Sequence, residues 1–568
     1  MPEITKDYRI DALLAGTKYR FGEPNSTVNV TYSFMKALPN YTTVEDNGKG
    51  FSEFTQEQQT ATRAIFKLFN DQFNVSFTEV PDTGSSYGQI NLGNNDQGDG
   101  SLGYAVTPNA TGSDNDGDVY INNAASAKQT TDVVPGSNAW STLIHEIGHS
   151  LGFKHPGTYN AGEPPKAPGT DEIVLPTDED IDLYTLMSYT THPQGIERTD
   201  LGLYDRLAMN YLYGSKPQNN DDTLYKLTDA DGQAQKLLVD NDGIDTLDAS
   251  AVTVPVRLDL NPGTFSSVGK SNAGETIYKS LSVSFDSILE NAIGSENNDV
   301  LVGNKTNNTL TGGLGNDELN GDEGKDTAVY TGNLKDFQIS KMSAGVTVKD
   351  NVGKNGTDSL KSIEKLQFSD ASINLAATEK ASSIDAAALK GIQELYIGFF
   401  KRVPDAEGLT FWIDEFKAGK TITQIADSFY DAGVQYASVT GYSDTMTNDD
   451  FIKIVYANVL ARTGANAPSD GEVKFWVTNL TQGVATRGSM VKEMIDSAHS
   501  YANDATWSWV DKLLNNKTAM ANKFAVEWGI SYATPEESIS KGMQLAAAVT
   551  QDDVNAAINL VGVNEVFA

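Results

Sequence analysis

The sequence predicts a multidomain protein with an α/β (α+β) domain, a parallel β-roll and an all-α C-terminal domain. Three observations carry this prediction. Amphipathic helices alternate with short strands in the first part, four nine-residue repeats follow one another without a gap, and a helical pattern that occurs twice fills the last part. The predicted domain boundaries are 1–215, 216–378 and 379–568.

The composition excludes several classes of protein. The chain has 568 residues, of which 42 are basic and 76 acidic, a formal net charge of −34 and no cysteine. A charge of this sign repels nucleic acid and anionic membrane surfaces, so we expect neither as a partner. Disulfides, thiolate metal sites and cysteine nucleophiles are excluded. No run of about 18 apolar residues occurs, so we predict no membrane-spanning helix.

The first domain begins with a clear helix-start signal. Thr55 is followed three residues later by Gln58, the pattern of a capping box, and apolar residues then recur at helical spacing as far as Phe69. Short strands are predicted at 75–80, 103–106 and 119–121. This order of elements predicts a mixed α/β domain.

Histidines are rare in the chain and three of them are clustered. The five histidines are His145, His149, His155, His192 and His499. His145 and His149 are four residues apart and share one helix face, and Gly152 suits a left-handed helix end that lets His155 approach from outside the helix. Three neutral imidazoles leave one coordination position open for water, which is typical of a catalytic zinc site.

Glu146 stands next to the first of these histidines and is the expected general base. A carboxylate there can take a proton from a zinc-bound water, whose pKa the metal lowers from ~15.7 to roughly 7. A His-Glu-x-x-His pattern also occurs by chance on surface helices, but the third histidine and the glycine both fit an extended pattern. We therefore predict one catalytic Zn²⁺ held by His145, His149 and His155.

The extended pattern from His145 to His155 resembles that of the metzincin metalloproteases. Met187 resembles the methionine of the Met-turn of that family, which lies under the zinc. Within the metzincins the sequence resembles the serralysin branch, through the segments 155–157, 187–189 and 204–214. The resemblance implies that Tyr189 is a displaceable zinc ligand that stabilises the oxyanion. His192, in a polar loop, is expected at the surface, and His499 has no partner histidine.

This resemblance covers about residues 10–330 and implies a zinc endopeptidase. A substrate peptide is then expected to pair with the backbone of the edge strand at 103–106. Because Met1 stands close to the first domain-like motif, we expect no long propeptide, and the means of keeping such an enzyme latent stays open.

The four repeats resemble the calcium-binding RTX repeat that builds a β-roll. They occupy 294–302, 303–311, 312–320 and 321–329, begin with Gly294, Gly303, Gly312 and Gly321, and have Asp299, Asn308, Asp317 and Asp326 at position six. If two repeats form one coil, Asp299 and Asp317 share a Ca²⁺ on one side and Asn308 faces Asp326 on the other. Asn308 lacks charge and Thr306 replaces a glycine, so we predict weaker binding on the second side.

Asp240, Asp242 and Asp245 form a further candidate calcium site. Their segment resembles the first calcium loop of the family, although Asp242 stands where glycine is usual. The alternative is that all these acids are solvated turn residues. Because such repeats bury little apolar surface, we expect calcium to supply much of their folding free energy. Residues 331–375 keep a strand-like pattern and are expected to cap the repeats.

The last part of the chain contains an internal duplication. Tyr396, Arg402 and Trp412 of the first copy correspond to Tyr456, Arg462 and Trp476 of the second. Two related helical units are predicted, with arginines that form ion pairs with nearby acids rather than bind a ligand. The pattern resembles helical domains of unassigned function in secreted bacterial proteins. We treat it as a binding module for a cell surface, a glycan or a protein substrate.

We expect the export signal to lie at the C-terminal end of the chain. The first seven residues have neither a basic nor an apolar region, so no Sec-type leader is expected. RTX proteins are clients of type I secretion, which reads an uncleaved C-terminal signal. The ending Glu565-Val566-Phe567-Ala568, an acid before an apolar triplet, resembles that of serralysins. The resemblance implies a secreted, extracellular protein, with association to the cell surface left open.

The main hypothesis is therefore a secreted, calcium-stabilised zinc endopeptidase that cleaves protein or peptide substrates. Two alternatives stay open. One is a calcium-dependent surface adhesin whose protease domain is vestigial or only trims the chain itself. The other is a dedicated processing enzyme for one surface or co-secreted protein, with the helical part supplying specificity.

Overall fold

A computed structural model describes residues 5–15, 21, 27–43, 48–108, 114–159, 173–563 and 567 of the chain. The chain falls into two compact units, 1–306 and 307–568. The first four residues and most of the C-terminal ending, 564–566 and 568, lie outside the described residues. The predicted combination of an α/β domain, a β-roll and a helical domain is confirmed, whereas the exact domain boundaries stay predictions.

The first unit begins with a five-stranded sheet and its helices. The elements are α1 (Tyr8–Asp11), β1 (Val28–Phe34), α2 (Gln56–Gln72), β2 (Val75–Glu79), β3 (Ile90–Asn95), β4 (Gly103–Ala105), β5 (Val119–Asn122), α3 (Asn138–Ser150) and α4 (Leu203–Tyr213). The strand order is β2-β1-β3-β5-β4, and only β4 is antiparallel to its neighbour. The predicted edge strand is thus confirmed at β4.

Local signals place these helices as the sequence predicts. At the start of α2 the Thr55 side chain accepts the Gln58 N–H and the Gln58 side chain accepts the Thr55 N–H, so the capping box is confirmed. The apolar face of α2 packs under the sheet, and Ile65 and Phe69 are almost fully buried. The same core includes Leu143 and Ile147 of α3, which fixes the histidine-bearing helix against the sheet.

The rest of the first unit consists of short strands. They are β6 (Leu224–Thr228), β7 (Lys236–Leu238), β8 (Thr246–Ala251), β9 (Arg257–Asp259), β10 (Phe265–Ser266), β11 (Leu281–Val283), β12 (Asn291–Ile293) and β13 (Val300–Val302). The pairs β6–β8, β8–β12, β9–β13 and β7–β11 are parallel. Short parallel strands joined by tight turns are the pattern of a β-roll.

The second unit contains further short strands, which are followed by helices. Its strands are β14 (Thr309–Thr311), β15 (Glu318–Asn320), β16 (Thr327–Val329), β17 (Phe337–Met342), β18 (Gly345–Asp350), β19 (Thr357–Lys361), β20 (Lys365–Gln367), β21 (Ala371–Asn374) and β22 (Ile530–Tyr532). Thr309 pairs in parallel with Thr327, so two nine-residue repeats form one coil, as predicted. The antiparallel strands β17 to β19 and β20 to β22 follow.

The helices of the second unit bury one aromatic-rich core. They are α5 (Ala377–Ser382), α6 (Ala386–Phe400), α7 (Ala406–Lys417), α8 (Ile422–Gln435), α9 (Ala437–Thr440), α10 (Asn448–Leu460), α11 (Asp470–Thr481), α12 (Arg487–Ser500), α13 (Ser508–Ala521), α14 (Pro535–Ala548) and α15 (Asn555–Val561). None of the described helices has the length and apolar character needed to cross a membrane.

The predicted duplication has a structural counterpart. Helix α6 is followed by the C-cap residue Lys401 and α10 by Ala461, and both residues are left-handed with φ of 51°. The next residue in each copy is an arginine over the tyrosine ring of its own helix, at 4.7 Å for Arg402 and 5.2 Å for Arg462. As expected, both arginines form ion pairs, Arg402 with Asp405 and Arg462 with Glu472.

Candidate active site

The three clustered histidines converge on one point. The Nε2 atom of His155 lies 3.2 Å from Nε2 of His145 and 3.0 Å from Nε2 of His149. The opposite ring nitrogens contact backbone carbonyls, Nδ1 of His145 that of Leu186 at 2.7 Å and Nδ1 of His149 that of Phe153 at 2.9 Å. These contacts orient both rings so that their Nε2 atoms face His155.

The electrostatics of the cluster favour neutral imidazoles. Burial, together with the neighbouring His155, lowers the pKa of His145 to about 4, and burial beside both other histidines lowers the pKa of His149 well below its usual value. Neutral imidazole is the form that ligates metal. Nitrogen atoms 3.0–3.2 Å apart also suit zinc, whose bonds to histidine are about 2.0–2.1 Å long. The residues present therefore fit the zinc ion that the sequence predicts.

The turn that delivers His155 depends on glycine. Helix α3 ends at Ser150, and Gly152 has φ of +112°, a conformation that residues with a side chain rarely adopt. A second glycine, Gly148, makes room below the histidines. A Cβ atom on Gly148 would lie 3.0 Å from Sδ of Met187, which is completely buried. The methionine thus packs directly against the metal-site helix.

Asp205 holds the segment that carries Met187. Its side chain accepts hydrogen bonds from the Thr185 hydroxyl at 2.6 Å and from the backbone N–H groups of Leu186 at 2.8 Å and Gly202 at 2.7 Å. Because the Leu186 carbonyl in turn contacts His145, Asp205 supports a ligand orientation through one intervening residue. This role is not predictable from the sequence, since a single aspartate carries no spacing signal.

Glu146 is buried beside the histidines. Its side chain is only 6% exposed, and Oε2 has no hydrogen-bond partner among the described residues. Burial raises the pKa of Glu146 to about 8. Gly103 of β4 makes room for it, since a Cβ atom there would lie 2.9 Å from Cγ of Glu146. A buried carboxyl group whose pKa lies close to neutral pH, and which has an unused oxygen, is suited to take up and release a proton next to the three histidines.

Tyr189 lies on the open side of the histidine cluster. Its ring centroid is 4.5 Å from that of His155 and 5.9 Å from that of His145, and the residue is 57% exposed. Tyr159 packs 5.0 Å from it and donates its hydroxyl proton to Asp180 at 2.6 Å. Burial and the charge of Glu146 raise the pKa of Tyr189, so the phenol is protonated and can donate a hydrogen bond.

These groups line one cleft of about 1000 Å³. The cleft is bordered by residues of the edge strand, the histidine-bearing helix and the segment 182–198, including Gly103, Tyr104, His145, Glu146, His149, His155, Asp182, Tyr189, Glu197 and Arg198. An extended peptide lying along β4 would therefore pass the histidines and Glu146.

The two remaining histidines are not among the residues that line the cleft. His192 was expected at the surface, and this expectation is wrong, because it is 2% exposed and its Nε2 contacts the Tyr278 carbonyl at 2.7 Å. His499 lies between two carboxylates, with Nδ1 2.6 Å from Asp511 and Nε2 2.7 Å from Glu394. Neither histidine joins the metal cluster.

The candidate calcium residues of the repeats are crowded with acidic groups. The Asn308 N–H donates to Oδ1 of Asp326 at 2.7 Å, and the Asp326 N–H donates to Oε2 of Glu364 at 2.8 Å. Burial and the nearby Glu364 raise the pKa of Asp326 to about 6, and its Oδ2 is buried without a partner in the described part of the chain. A divalent cation relieves such crowding, so these residues fit calcium.

Glycine at the first repeat position makes room for these carboxylates. A Cβ atom on Gly312 would lie 2.2 Å from Oδ2 of Asp317, and one on Gly321 would lie 2.4 Å from Oδ2 of Asp326. The glycines therefore allow the carboxylate of the same repeat to fold back over the turn. A calcium ion shared by Asp299 and Asp317, with the turns that begin at Gly294 and Gly312, stays a prediction, as does the role of Gly303 in the turn on the opposite side.

The separate candidate calcium site at 240–245 also contains buried acids with unpartnered oxygens. Asp240 and Asp245 are buried, and each has one oxygen without a partner among the residues described. Burial and the neighbouring Asp245 raise the pKa of Asp240 to about 6. Asp242 is exposed. Two of the three predicted acids thus have the buried, unsatisfied oxygens that suit calcium, while the third does not.

Comparison with known families agrees with this geometry. Residues 29–164 match the family model described as matrixin, residues 207–414 match peptidase M10 serralysin C terminal, and residues 437–503 match a domain of unknown function, DUF4214. Over 327 residues the chain is 32% identical to metallopeptidase AprA of Pseudomonas marginalis, with 53% of this chain and 65% of the relative covered. It is 34% identical over 307 residues to serralysin of Photorhabdus sp. (strain Az29), and this match covers 50% of this chain and 61% of the relative. It is also 34% identical over 315 residues to serralysin of Proteus mirabilis, and this match covers 50% of this chain and 60% of the relative.

The fold and the three-histidine site resemble the protease domain of the metzincins. Together with these matches they show that the matched residues are similar to serralysin-type metzincins. The chain spans somewhat less than two thirds of the length of these relatives. This family implies one catalytic zinc and several structural calcium ions, and the histidines and buried acids described above fit both.

Proposed function

We propose that the protein is a secreted zinc endopeptidase whose repeat region is stabilised by calcium. The observation that carries the proposal is the convergence of three neutral imidazoles, with Nε2 atoms 3.0–3.2 Å apart, beside the buried Glu146 in a cleft bordered by an edge strand. We assign His145, His149 and His155 as the zinc ligands.

The residues of the chain then have separate roles. Zinc, when bound, polarises a peptide carbonyl and lowers the pKa of a water molecule to roughly 7. Glu146 accepts the proton of the attacking water on its unused oxygen and delivers it to the leaving amine. The free edge of β4 aligns the substrate backbone, and the Tyr189 phenol donates a hydrogen bond to the oxyanion.

Glu146→Ala tests this function directly. We expect casein cleavage to fall by at least 100-fold because the general base is lost, while one zinc per chain stays bound because the three imidazoles are intact. Glu53→Ala, at an exposed glutamate of the same domain, is the control and should keep full activity. Full activity of Glu146→Ala would refute the assignment.

We further propose export through a type I apparatus and folding outside the cell. The acidic repeat turns support this, since they carry buried acids that only a cation-rich environment satisfies. Export of the full chain by a host with a type I apparatus should be lost when residues 551–568 are deleted. Equal export of the two chains would contradict the proposal.

For the helical part we propose a glycan of the cell surface as the partner. Trp507 is 37% exposed, and its ring centroid lies 6.5 Å from Tyr501 and 6.4 Å from Trp509. Exposed rings of this kind can stack on sugars. Trp507→Ala should lower polysaccharide binding by the full chain several-fold, whereas Phe475→Ala, at an exposed ring elsewhere, should not. Equal binding of both variants and the wild type would exclude this partner.

A further inference from the structure

Part of the cleft lining is polar and acidic. We call this set of lining residues the polar recess: Asn138, Ser141, Thr142, Asp182 and Glu197. The start of α3 and the segment around 198 are joined there, since the Ser141 hydroxyl donates to the Arg198 carbonyl at 3.5 Å and Nη1 of Arg198 donates to the Asp182 carbonyl at 2.7 Å. The recess is therefore built from two fixed segments of the same unit.

Asp182 is the unusual member of the recess. It is only 9% exposed, and its Oδ1 atom is buried with no hydrogen-bond partner among the described residues. Burial, and to a smaller extent the charge of Glu197, raise the pKa of Asp182 to about 6 against the lowering effect of hydrogen bonds and of Arg198. At neutral pH the side chain is thus a buried anion with an unused oxygen.

Arg198, whose charge acts on Asp182, forms no ion pair with this carboxylate. The guanidinium of Arg198 is 4% exposed, and besides the Asp182 carbonyl it donates to the Gln235 side chain at 3.0 Å and to the Leu201 carbonyl at 2.7 Å. Among the described residues its carboxylate contact within 4.0 Å is Asp200, at 3.9 Å. Lys154, the other cation lining the cleft, donates to the carbonyls of His155 and Ile173. Both cations therefore have other partners.

A buried carboxylate oxygen without a hydrogen-bond partner is costly, so a position that keeps one in a binding cleft points to a ligand. We propose that Asp182 is a specificity residue that binds the ammonium or guanidinium group of a substrate lysine or arginine next to the scissile bond. This proposal rests on the function proposed above. Glu197 adds a second negative charge at the recess, which makes an acidic side chain unfavourable there.

The hydrolytic test uses a peptide library and two matched variants. The wild-type full chain, loaded with zinc and calcium, should enrich lysine or arginine at one position next to the cleaved bond. For two peptides that differ there only by lysine or norleucine, Asp182→Asn should lower kcat/KM for the lysine peptide about 10- to 100-fold, the size of a charged hydrogen bond. The kcat/KM of this variant for the norleucine peptide should stay within twofold of the wild-type value. Asp178→Asn, at an exposed aspartate four residues earlier, should change kcat/KM for neither peptide.

A binding test separates this proposal from the proposed function. Glu146→Ala should bind the lysine peptide at least tenfold more tightly than the norleucine peptide, and adding Asp182→Asn should abolish the difference. If the wild type hydrolyses neither peptide but this difference in binding remains, the proposed function is overturned and Asp182 is supported as a recognition residue. Equal binding of the two peptides, or cleavage with no basic preference, would overturn the role of Asp182 alone.

Discussion

Gly103 and Glu146 are in contact across the gap between the edge strand and the histidine-bearing helix. A Cβ atom on Gly103 would lie 2.9 Å from Cγ and 3.1 Å from Oε1 of Glu146. The position of the proposed general base thus depends on the absence of a side chain on the strand along which substrate is expected to lie.

Gly103→Ala is expected to displace Glu146 and to lower kcat on casein at least tenfold, because small errors in the position of a reacting group are costly. The zinc content should stay at one per chain. Gly100→Ala is a matched control in the same segment, since a Cβ atom there would meet nothing within 4 Å. Equal activity of both variants would show that the contact does not position Glu146.

His149→Gln is expected to abolish zinc binding, as measured by elemental analysis of the purified full chain, and to abolish cleavage with it. The remaining two imidazoles offer too few ligands for a stable site. His192→Gln removes another buried histidine of the same unit but not a proposed ligand, and it should retain one zinc. Loss of zinc from both variants would indicate a general folding effect instead.

Asp245→Asn is expected to raise the calcium concentration at which the repeat region folds, since Asp245 is buried with an unused oxygen. Asp242→Asn should change that midpoint by less than twofold because Asp242 is exposed. Circular dichroism during a calcium titration of the full chain measures both. An equal effect of the two variants would refute the distinction between these acids.

The stability of the helical part should depend on His499. The carboxylate of Glu394, and that of Asp511, raise the pKa of His499, against burial and the charge of Lys390. A raised pKa means that the stabilisation is fully present below the unfolded value near 6.5 and is lost as the pH rises through the higher folded value. His499→Gln should therefore cost about 1 kcal/mol at pH 6 and less at pH 9.

Urea unfolding of the full chain at both pH values, followed by tryptophan fluorescence, measures this difference. Ser500→Ala, at the exposed neighbouring position, should show no dependence on pH. A cost of His499→Gln that is the same at pH 6 and pH 9 would contradict the ionic role.

Much of the site could be predicted from the sequence because its signals are local. Residues four apart share a helix face, so His145 and His149 were expected to meet, and the left-handed Gly152 follows from the need to turn the chain. The nine-residue period likewise predicted a coil of two repeats, which the pairing of Thr309 with Thr327 confirms.

The roles of Asp205 and Asp182 were not predictable from any pattern. Each is a single aspartate in an acidic chain, and its role depends on contacts with residues 16 to 20 positions away in the sequence. His192 was predicted wrongly for a related reason. Its polar loop suggested solvent, whereas the Tyr278 carbonyl, 86 residues further along, covers it.

The sequence by itself determined the fold class, the resemblance to the serralysins, the proposed zinc ligands and the period of the roll, because helical spacing and repeat period are short-range properties. Only the tertiary structure decided which acids among the described residues have a buried oxygen without a partner, that Gly103 makes room for Glu146, and that Asp182, one of these acids, lines the cleft. Burial and the pairing of charges depend on segments brought together from distant parts of the chain, and a linear pattern does not encode them.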